Sequence, residues 1–351
     1  MSPYDDGFEG LLNVDRLMPW LREHLGVAGP IEIVKVSTGH SNEMFRLHAG
    51  GSSWILRRPP RVKAHASASN MSREFRVMSA LAGTDVPHAR PVALCSDDEI
   101  IGVPFFLMEL VVGFKGLPEH FPPEFTNPAA VRELSLALVD SLARIHRLDW
   151  RACGLDGFGR PEGFLDRQVD RWMHQLSQYQ TRELPHLREI TGWLRTNQPA
   201  DATTAIMHGD YSAGNVMFDH ARPGRVVAVV DWENATIGDP MIDLASLLRS
   251  FPERLDAAPR VIAANDHLRL SDLAGAPTRS ELARCWADVA GRDVPEMTYY
   301  DVLSSFRVAC ILEGSYSRFV RGESKDPYHA VFETRVPALL SDAAARIDAA
   351  R

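Results

Sequence analysis

The most informative stretch of this chain reads Ile206-Met-His-Gly-Asp-Tyr-Ser-Ala-Gly-Asn-Val-Met-Phe218, and it is followed by Val226-Val-Ala-Val-Val-Asp-Trp-Glu233. Apolar runs flank a polar segment with His208, Asp210 and Asn215, and the second apolar run ends at Asp231. The oxygens of Asn215 and Asp231 suit Mg²⁺, which takes one or two protein ligands besides phosphate oxygens and water. The Asp210 carboxylate, which this metal site does not use, can then act as a base. Because each residue taken singly is also a common turn former, their order along the chain carries the inference.

This order resembles the catalytic loop of the protein-kinase-like phosphotransferases, in which an Asp, an Asn five residues later and a second Asp act together. Asp210, Asn215 and Asp231 match those positions. The resemblance implies that Asp210 orients or deprotonates the acceptor hydroxyl and that Asn215 and Asp231 hold Mg²⁺. Protein kinases have H-R-D and D-F-G where this chain has His-Gly-Asp and Asp-Trp-Glu, and no A-P-E sequence is present. These departures favour the aminoglycoside phosphotransferase and choline-kinase-like family, whose acceptors are small molecules.

The resemblance implies an α+β, two-lobed protein-kinase-like fold, with a small antiparallel-sheet lobe followed by a larger, mainly helical lobe. We expect a nucleotide-binding lobe over residues 1–112 and a catalytic and acceptor-binding lobe over residues 113–351. ATP, or another nucleoside triphosphate, and Mg²⁺ are the implied cofactors. His208, and Asp243 in the helix predicted after Pro240, are expected to brace the loop rather than to react.

Several residues of the first lobe give weaker matches to a nucleotide site. Gly39 and Ser41 lie between two predicted strands, in the place of the phosphate-covering loop, although a plain hairpin turn explains them equally well. Glu109 and Val111 lie in an apolar run that resembles the linker whose backbone binds adenine. The resemblance therefore implies that these four residues contact the nucleotide.

The strand Trp54-Ile-Leu-Arg-Arg-Pro-Pro60 lies where kinases carry a Lys that contacts phosphates and pairs with a helix Glu. Arg57 and Glu74 match this pair, but a planar guanidinium is not interchangeable with an ammonium group. A similar strand occurs in the phosphotransferase branch related to the kinase-like domain of certain acyl-CoA dehydrogenases. Arg57 is predicted to contact nucleotide phosphates, with a solvated strand edge as the alternative, and Arg58 is expected to face solvent.

Hydrophobic periodicity predicts the elements around these motifs. Apolar residues at helical spacing predict a helix over residues 14–25, and Asn127-Pro128 begins another whose apolar face continues for four turns. Residues 206–231 are interpreted as a loop between two short strands. The remaining predictions are extended runs at 31–36, 44–47, 54–58, 89–94 and 104–112, and helices at 72–81, 163–182, 186–196, 240–250, 278–291, 299–320 and 331–349.

Composition excludes several classes of protein. The chain has 351 residues, of which 45% are hydrophobic and 24% charged, and these values are typical of a folded globular protein. A net charge of −8 disfavours nucleic acid as the main partner, because phosphate binding uses clustered Lys and Arg. The four scattered cysteines, the lack of a long apolar run and an N-terminus unlike a signal peptide predict a cytoplasmic protein that starts at Met1 and has no membrane segment.

The acceptor is the least explicit part of the sequence. No acidic cluster suited to a polycationic aminoglycoside stands out. In line with the branch resemblance, we expect a hydroxy acid, a hydroxyacyl thioester or an apolar alcohol. An aminoglycoside-type antibiotic kinase, a catalytically silent nucleotide-binding module and a divalent-metal hydrolase are the alternatives. A set of apolar residues and arginines in the second lobe suggests an apolar or anionic acceptor. The apolar residues equally suit a protein core, and the arginines equally suit a solvated surface. The set consists of Trp172, Met173, Tyr179, Trp193, Tyr299, Tyr300, Phe306, Tyr316, Phe319, Arg160, Arg167, Arg171, Arg307 and Arg318.

Overall fold

The computed structural model describes Phe8 and residues 10–36, 42–60, 70–200, 203–253 and 268–351. The chain divides into two compact units. The first comprises Met1–Gly113, Arg151–Phe158 and Val227–Ala235, and the second comprises Phe114–Trp150, Gly159–Val226 and Thr236–Arg351. Among the residues described, no helix is both long enough and apolar enough to cross a membrane.

Five strands of the first unit form one antiparallel sheet: β1 (Glu32–Val36), β2 (Glu43–Ala49), β3 (Ser52–Arg58), β4 (Pro91–Cys95) and β5 (Phe105–Glu109). Their order in the sheet is β1-β2-β3-β5-β4. Gly50 and Gly51 connect β2 to β3 with φ angles of 58° and 80°, in the left-handed region that side chains disfavour. Because β3 lies between β2 and β5, Arg57 pairs with Met44 on one side and with Phe106 on the other.

Three helices accompany this sheet: α1 (Val14–Leu25), α2 (Met71–Ala80) and α3 (Asp98–Ile101). The side chain of Asn13 caps the N-terminus of α1, and Gly26 ends this helix with a φ of 65°. Leu17 and Leu21 of α1 are fully buried in one core with Phe45 of the sheet. The helix predicted over 14–25 is confirmed.

The second unit is mainly helical, with α4 (Pro128–Arg147), α5 (Gln168–Ser177), α6 (Leu187–Thr196), α7 (Met241–Leu248), α8 (Arg279–Ala290), α9 (Thr298–Val320) and α10 (Phe332–Ala349). Its strands are β6 (Phe114–Lys115), β7 (Ala205–Met207), β8 (Val216–Asp219), β9 (Arg222–Val229) and β10 (Thr236–Gly238), and the last residues of β9 belong to the first unit. The side chain of Asn127 accepts from two amides of the first turn of α4, and this confirms the predicted start of that helix. Trp286 and Phe306 are fully buried in this unit.

The interpretation of residues 206–231 as a loop between two strands is wrong in its middle. Val216–Asp219 and Arg222–Val229 are neighbouring strands, and the Asp219 side chain accepts from the Ala221 amide at 2.7 Å in the turn between them. Val216 and Phe218 are buried while the residues between and after them are not, which is the alternation of a half-buried strand. Four residues are too short a pattern to be separated from a loop by sequence alone.

The expectation that Arg58 faces solvent is also wrong. Its side chain is buried, and Nε donates to the carbonyl of Pro59 at 3.2 Å while Nη1 donates to the carbonyl of Leu11. Successive residues of a strand point to opposite faces of the sheet. Residues near Leu11 cover the face of Arg58, and main-chain carbonyls satisfy its guanidinium there.

Candidate active site

The predicted catalytic loop begins where β7 ends. The strand is fully buried, and the chain turns at Gly209, whose φ is 82°. His208 before the turn is buried, whereas Asp210 after it is exposed. One turn of 3-10 helix, Ala213–Asn215, then leads into β8. The loop thus presents the Asp210 carboxylate at the surface, next to a buried strand.

Asp243, in the first turn of α7, holds the backbone of this loop. Its Oδ2 accepts from the His208 amide at 2.7 Å, and the Gly209 amide donates to Oδ1 and Oδ2 at 3.2 and 3.3 Å. The His208 ring contributes as well, because its Nδ1 accepts from the Asp210 amide at 3.3 Å. These hydrogen bonds confirm the bracing roles predicted for His208 and Asp243.

A buried histidine that sequence reasoning missed, His146 of α4, lies against Asp243. Trp286 Nε1 donates to His146 Nδ1 at 3.1 Å, so the neutral ring carries its hydrogen on Nε2, 3.6 Å from Asp243 Oδ2. Burial lowers the pKa of His146 and keeps it neutral. Burial by itself would raise the pKa of Asp243, but His146 and Arg307 outweigh it and hold that pKa below its usual range.

The guanidinium of Arg307, in α9, also contacts the loop. Its Nη2 donates a hydrogen bond to the carbonyl of Gly209, and the group lies 5.5 Å from the ring of Trp172. Burial lowers the pKa of Arg307, while the charges of Asp243 and Asp210 act in the opposite direction. A cation therefore shares the surroundings of the predicted base.

Three of the aromatic residues that suggested an apolar acceptor belong to the core of the second unit. Tyr299 and Tyr300 are at most 4% exposed, and Phe306 is fully buried. The Tyr300 hydroxyl donates to Asp239 Oδ2 at 2.8 Å, which satisfies its one buried polar group. For these three residues the structure shows the core position that the sequence left open as the alternative.

Asn215 is bonded to Asp210. Its Nδ2 donates to the main-chain carbonyl of Asp210 at 2.9 Å and to the carboxylate Oδ2 at 3.2 Å. The nitrogen of the amide thus orients the carboxylate. The oxygen of the same amide is the atom suited to a hard cation.

In the first unit, Arg57 lies among carboxylates. Its Nε donates to Glu74 Oε2 at 2.9 Å and its Nη2 donates to Asp231 Oδ1 at 2.6 Å, while Glu233 Oε2 lies 3.9 Å from Nη2. Arg57 is only 6% exposed and Glu74 only 2%. The predicted pairing of Arg57 with Glu74 is present, and Arg57 does not lie on a solvated strand edge.

This group of four side chains, Arg57, Glu74, Asp231 and Glu233, is called the carboxylate cluster below. One guanidinium faces three carboxyl groups in it. Burial raises the pKa of Glu74 to about 7, with Arg57 opposing this shift and Asp231 and Glu233 reinforcing it. The described residues include no group of three or more His, Cys, Asp or Glu side chains placed to hold a metal ion, so these three carboxyl groups do not by themselves form a metal site. The oxygens of Asp231 are nevertheless of the kind that Mg²⁺ prefers.

The backbone at Asp231 is strained. Its φ is 69°, in the left-handed region that residues other than glycine rarely adopt. The next residue anchors the turn, since the fully buried Trp232 ring donates from Nε1 to the Val229 carbonyl at 3.0 Å. Strain of this kind persists where surrounding packing enforces it, and it concentrates at functional sites.

Sequence reasoning missed two members of this region. Asn42, which is 3% exposed, donates from Nδ2 to Glu233 Oε2 at 3.0 Å. Asn42 directly follows Ser41 in the sequence, and Glu233 is the last residue of the Asp-Trp-Glu motif, so both stand beside residues that were named for other roles. Their hydrogen bond joins residues far apart in the chain, and no local pattern signals it.

Two other predicted nucleotide contacts, Glu109 and Val111, lie at and just after the end of β5. Glu109 is the last residue of β5; its amide donates to the Arg90 carbonyl at 2.9 Å, and its carboxylate pairs with the Arg90 side chain. Val111 follows it and is half-buried. Gly39 and Ser41 lie outside the described residues. Of the predicted site residues, the structure brings Arg57, Glu74 and Asp231 together in the first unit and Asp210 with Asn215 in the second.

Comparison with known sequences gives a family and two long relatives. The model of the phosphotransferase enzyme family matches residues 32–282. Acyl-CoA dehydrogenase family member 10 of Mus musculus is 33% identical over 314 residues, covering 88% of this chain and 29% of that protein. Acyl-CoA dehydrogenase family member 11 of Rattus norvegicus is 31% identical over 322 residues, covering 89% of this chain and 40% of that protein. The chain therefore spans well under half the length of these relatives.

A solved structure from Ralstonia eutropha JMP134, provisionally described as an aminoglycoside phosphotransferase, superposes with a TM-score of 0.77. It is 32% identical, and the superposition covers 94% of this chain and 96% of that chain. The predicted kinase-like α+β fold is confirmed, and so is the resemblance to the phosphotransferase branch related to acyl-CoA dehydrogenases.

Proposed function

We propose, from the premise that this chain belongs to the phosphotransferase enzyme family, that it transfers a phosphoryl group from ATP to a hydroxyl of a small molecule. The family establishes a phosphotransferase that acts on small molecules. The finer assignment rests on one observation: Asp210 is exposed at the surface on a loop whose backbone is held by the buried Asp243. A carboxylate in that setting is suited to accept the proton of an incoming hydroxyl.

Enzymes of this family use ATP and Mg²⁺, as predicted from the sequence. When bound, Mg·ATP supplies the phosphoryl group and positive charge that offsets the phosphate oxygens. Asp231 of the carboxylate cluster and the amide oxygen of Asn215 are the proposed metal ligands. We assign Arg57 to the nucleotide phosphates, with Glu74 fixing its guanidinium through the hydrogen bond at 2.9 Å.

The second unit contributes the proposed base. Asp210 takes the proton of the acceptor hydroxyl on its carboxylate, which Asn215 orients through the hydrogen bond at 3.2 Å. Asp243 and Arg307 hold the backbone of Gly209 from its amide and its carbonyl, so the residue before the base is fixed on both sides. A base held in this way loses little conformational entropy when the acceptor binds.

In this proposal, nucleotide binding and catalysis belong to different lobes. Residues 1–112 are assigned to nucleotide binding, including the backbone of Glu109 and Val111 for the base and of Gly39 and Ser41 for the phosphates. Residues 113–351 are assigned to catalysis and acceptor binding. The support for this assignment is the motif order along the chain.

For the acceptor we propose a hydroxy acid, a hydroxyacyl thioester or an apolar alcohol. The support is that the cation Arg307 shares the surroundings of Asp210, together with the relatedness to acyl-CoA dehydrogenase family members. An aminoglycoside is the second candidate, because the provisional description of the Ralstonia eutropha structure names that activity.

The test is a coupled ADP-release assay with Mg·ATP and a panel containing hydroxy acids, hydroxyacyl thioesters, apolar alcohols and kanamycin. We expect turnover with one of the first three classes and none with kanamycin. Turnover of kanamycin alone would overturn the acceptor assignment. Nucleotide binding without turnover of any acceptor would instead indicate a silent nucleotide-binding module. Asp210→Asn, assayed in parallel, separates enzyme-catalysed ADP release from contaminating activity.

A further inference from the structure

The second unit contains a cavity of about 240 Å³ next to the catalytic loop. Its walls come from the loop after Asp210, from the end of α7 and the residues that follow it, and from α4 and α10. The described residues that line it are Leu117, Leu138, Tyr211, Ser212, Ala213, Gly214, Ser246, Leu247, Arg249, Ser250, Phe251, Arg269, Leu270, Ser271 and Arg335. We refer to it as the arginine pocket.

Three arginines line this pocket, and no acidic residue is among the described residues of its wall. Arg269 is paired with Asp272, and Arg335 donates to the Tyr328 hydroxyl at 2.9 Å. Arg249 differs from both. Its Nε is completely buried and donates no hydrogen bond.

A second buried donor in the same wall also lacks a partner. The hydroxyl of Ser271 makes no hydrogen bond within the described part of the chain, although its oxygen is inaccessible to solvent. A buried donor left unsatisfied costs about 1–3 kcal/mol, and more when it is charged. Two such donors in one cavity are best explained by a ligand that accepts their hydrogen bonds.

The electrostatics of Arg249 point in the same direction. Burial lowers its pKa to about 10, and the charges of Arg335 and Arg269 add to this shift. The carboxylates that oppose it, Asp342 and Asp301, are themselves bonded to other arginines outside the pocket. Among the described residues of the wall, the charges nearest to Arg249 are therefore positive.

We propose that the arginine pocket binds the phosphate or carboxylate group of a small anionic molecule. A guanidinium offers paired donors that match these planar or tetrahedral anions. The Ser271 hydroxyl supplies a neutral donor beside it, whereas the Ser250 hydroxyl donates to the Leu247 carbonyl and Ser246 Oγ is bonded to Ser304 Oγ, both at 3.0 Å. The proposal does not require the kinase reaction, since it concerns binding alone, but the anion would lie beside residues 211–214 of the catalytic loop.

The test is calorimetric titration of the full chain with sodium phosphate and, separately, with 3-hydroxybutyrate, in the absence of nucleotide. We expect binding of at least one anion, and about ten-fold weaker binding in Arg249→Met. Arg284→Met is the matched control, because Arg284 is an exposed arginine of α8 outside the pocket. Equal affinity in wild type, Arg249→Met and Arg284→Met would overturn the proposal, and so would the absence of binding at about 10 mM anion.

Ser271→Ala provides an independent variant that keeps the charge of the pocket. Its affinity for the same anion should fall by a smaller factor, about three-fold. An unchanged affinity both in this variant and in Arg249→Met would contradict the proposed site. Preference for phosphate over 3-hydroxybutyrate identifies a phosphorylated ligand, and the reverse identifies a carboxylate, as in the acceptors proposed above. The experiment measures binding and not turnover, so it can support this site even if the proposed kinase reaction is not found.

Discussion

The catalytic loop and the carboxylate cluster differ in how their buried carboxyl groups are compensated. In the loop, Asp243 is buried and ionised, and its charge is taken up by two backbone amides and the neighbouring His146 and Arg307. In the carboxylate cluster, one guanidinium faces three carboxyl groups, and the pKa of Glu74 rises to about 7. The charge of Asp243 is thus compensated by the groups around it, whereas in the cluster burial keeps the pKa of one carboxyl group near neutrality.

The difference indicates which part of the site depends on its ligands. A loop held by internal hydrogen bonds keeps its geometry whether or not nucleotide is bound. A buried carboxyl group with a pKa near neutrality changes its protonation with pH, so the properties of the cluster should change with pH, with the loss of single charges and with the proposed binding of Mg²⁺ at Asp231. Substitutions in the two regions should accordingly separate turnover from nucleotide binding.

The largest effect is expected in the loop. Asp210→Asn should lower kcat by about 10²- to 10⁴-fold, because an amide cannot accept the proton of the acceptor hydroxyl. The affinity for Mg·ATP should stay within about two-fold of wild type. Steady-state kinetics with the identified acceptor, combined with calorimetry, measure both quantities. Asp170→Asn, an exposed carboxylate of the same unit, is the control, and a wild-type kcat in Asp210→Asn would exclude Asp210 as the base.

Asp231→Ala should produce the reverse pattern. Removal of the main proposed metal ligand should weaken Mg-dependent binding of ATP by about 100-fold, and Asn215→Ala should weaken it by about ten-fold. The exposed Asp85 offers a matched control in the first unit, as Asp85→Ala. Titration of ATP with and without Mg²⁺ decides the matter, since an unchanged affinity in Asp231→Ala is incompatible with a role in metal binding.

Arg57 should show a smaller effect. Arg57→Ala should raise the KM for ATP by about ten-fold, because a charge-assisted hydrogen bond contributes about 1.5–3 kcal/mol. Arg57→Lys should be intermediate, since an ammonium group keeps the charge but loses the fork that reaches Glu74 and Asp231 together. Arg46→Ala, on the exposed side of the neighbouring strand, controls for general effects on the sheet. A KM that is the same in Arg57→Ala and Arg46→Ala would remove Arg57 from the nucleotide site.

The parts of the molecule that sequence predicted well are local. Helix α1 and the start of α4 follow from a capping Asn and a continuous apolar stripe, which involve only neighbouring residues. The motif residues Asp210, Asn215 and Asp231 could be chosen because their order is specific, although order does not reveal geometry. Nothing local distinguishes the four residues of β8 from a loop.

What sequence could not predict depends on distant contacts. Arg58 was expected in solvent because a strand exposes alternate residues, but the segment near Leu11 covers its face. His146 reaches Asp243 from another helix, and Asn42 reaches Glu233 across most of the first unit's sequence. Each of these contacts joins residues that only the tertiary fold brings together.

The smallest expected effect is a change in the pH dependence of stability, and it tests the raised pKa of Glu74 directly. In the folded protein the pKa of Glu74 is raised from 4.5 to about 7, so the unfolded chain loses this proton first as pH rises. The free energy of unfolding should therefore fall between pH 5 and pH 7, by about 2–3 kcal/mol from this group. Glu74→Gln cannot ionise and should flatten that slope, whereas the exposed Glu99→Gln should keep it. Urea unfolding at pH 5, 6 and 7 without added Mg²⁺ measures the slope. Identical slopes in wild type and both variants would mean that the pKa of Glu74 is not raised in the folded protein.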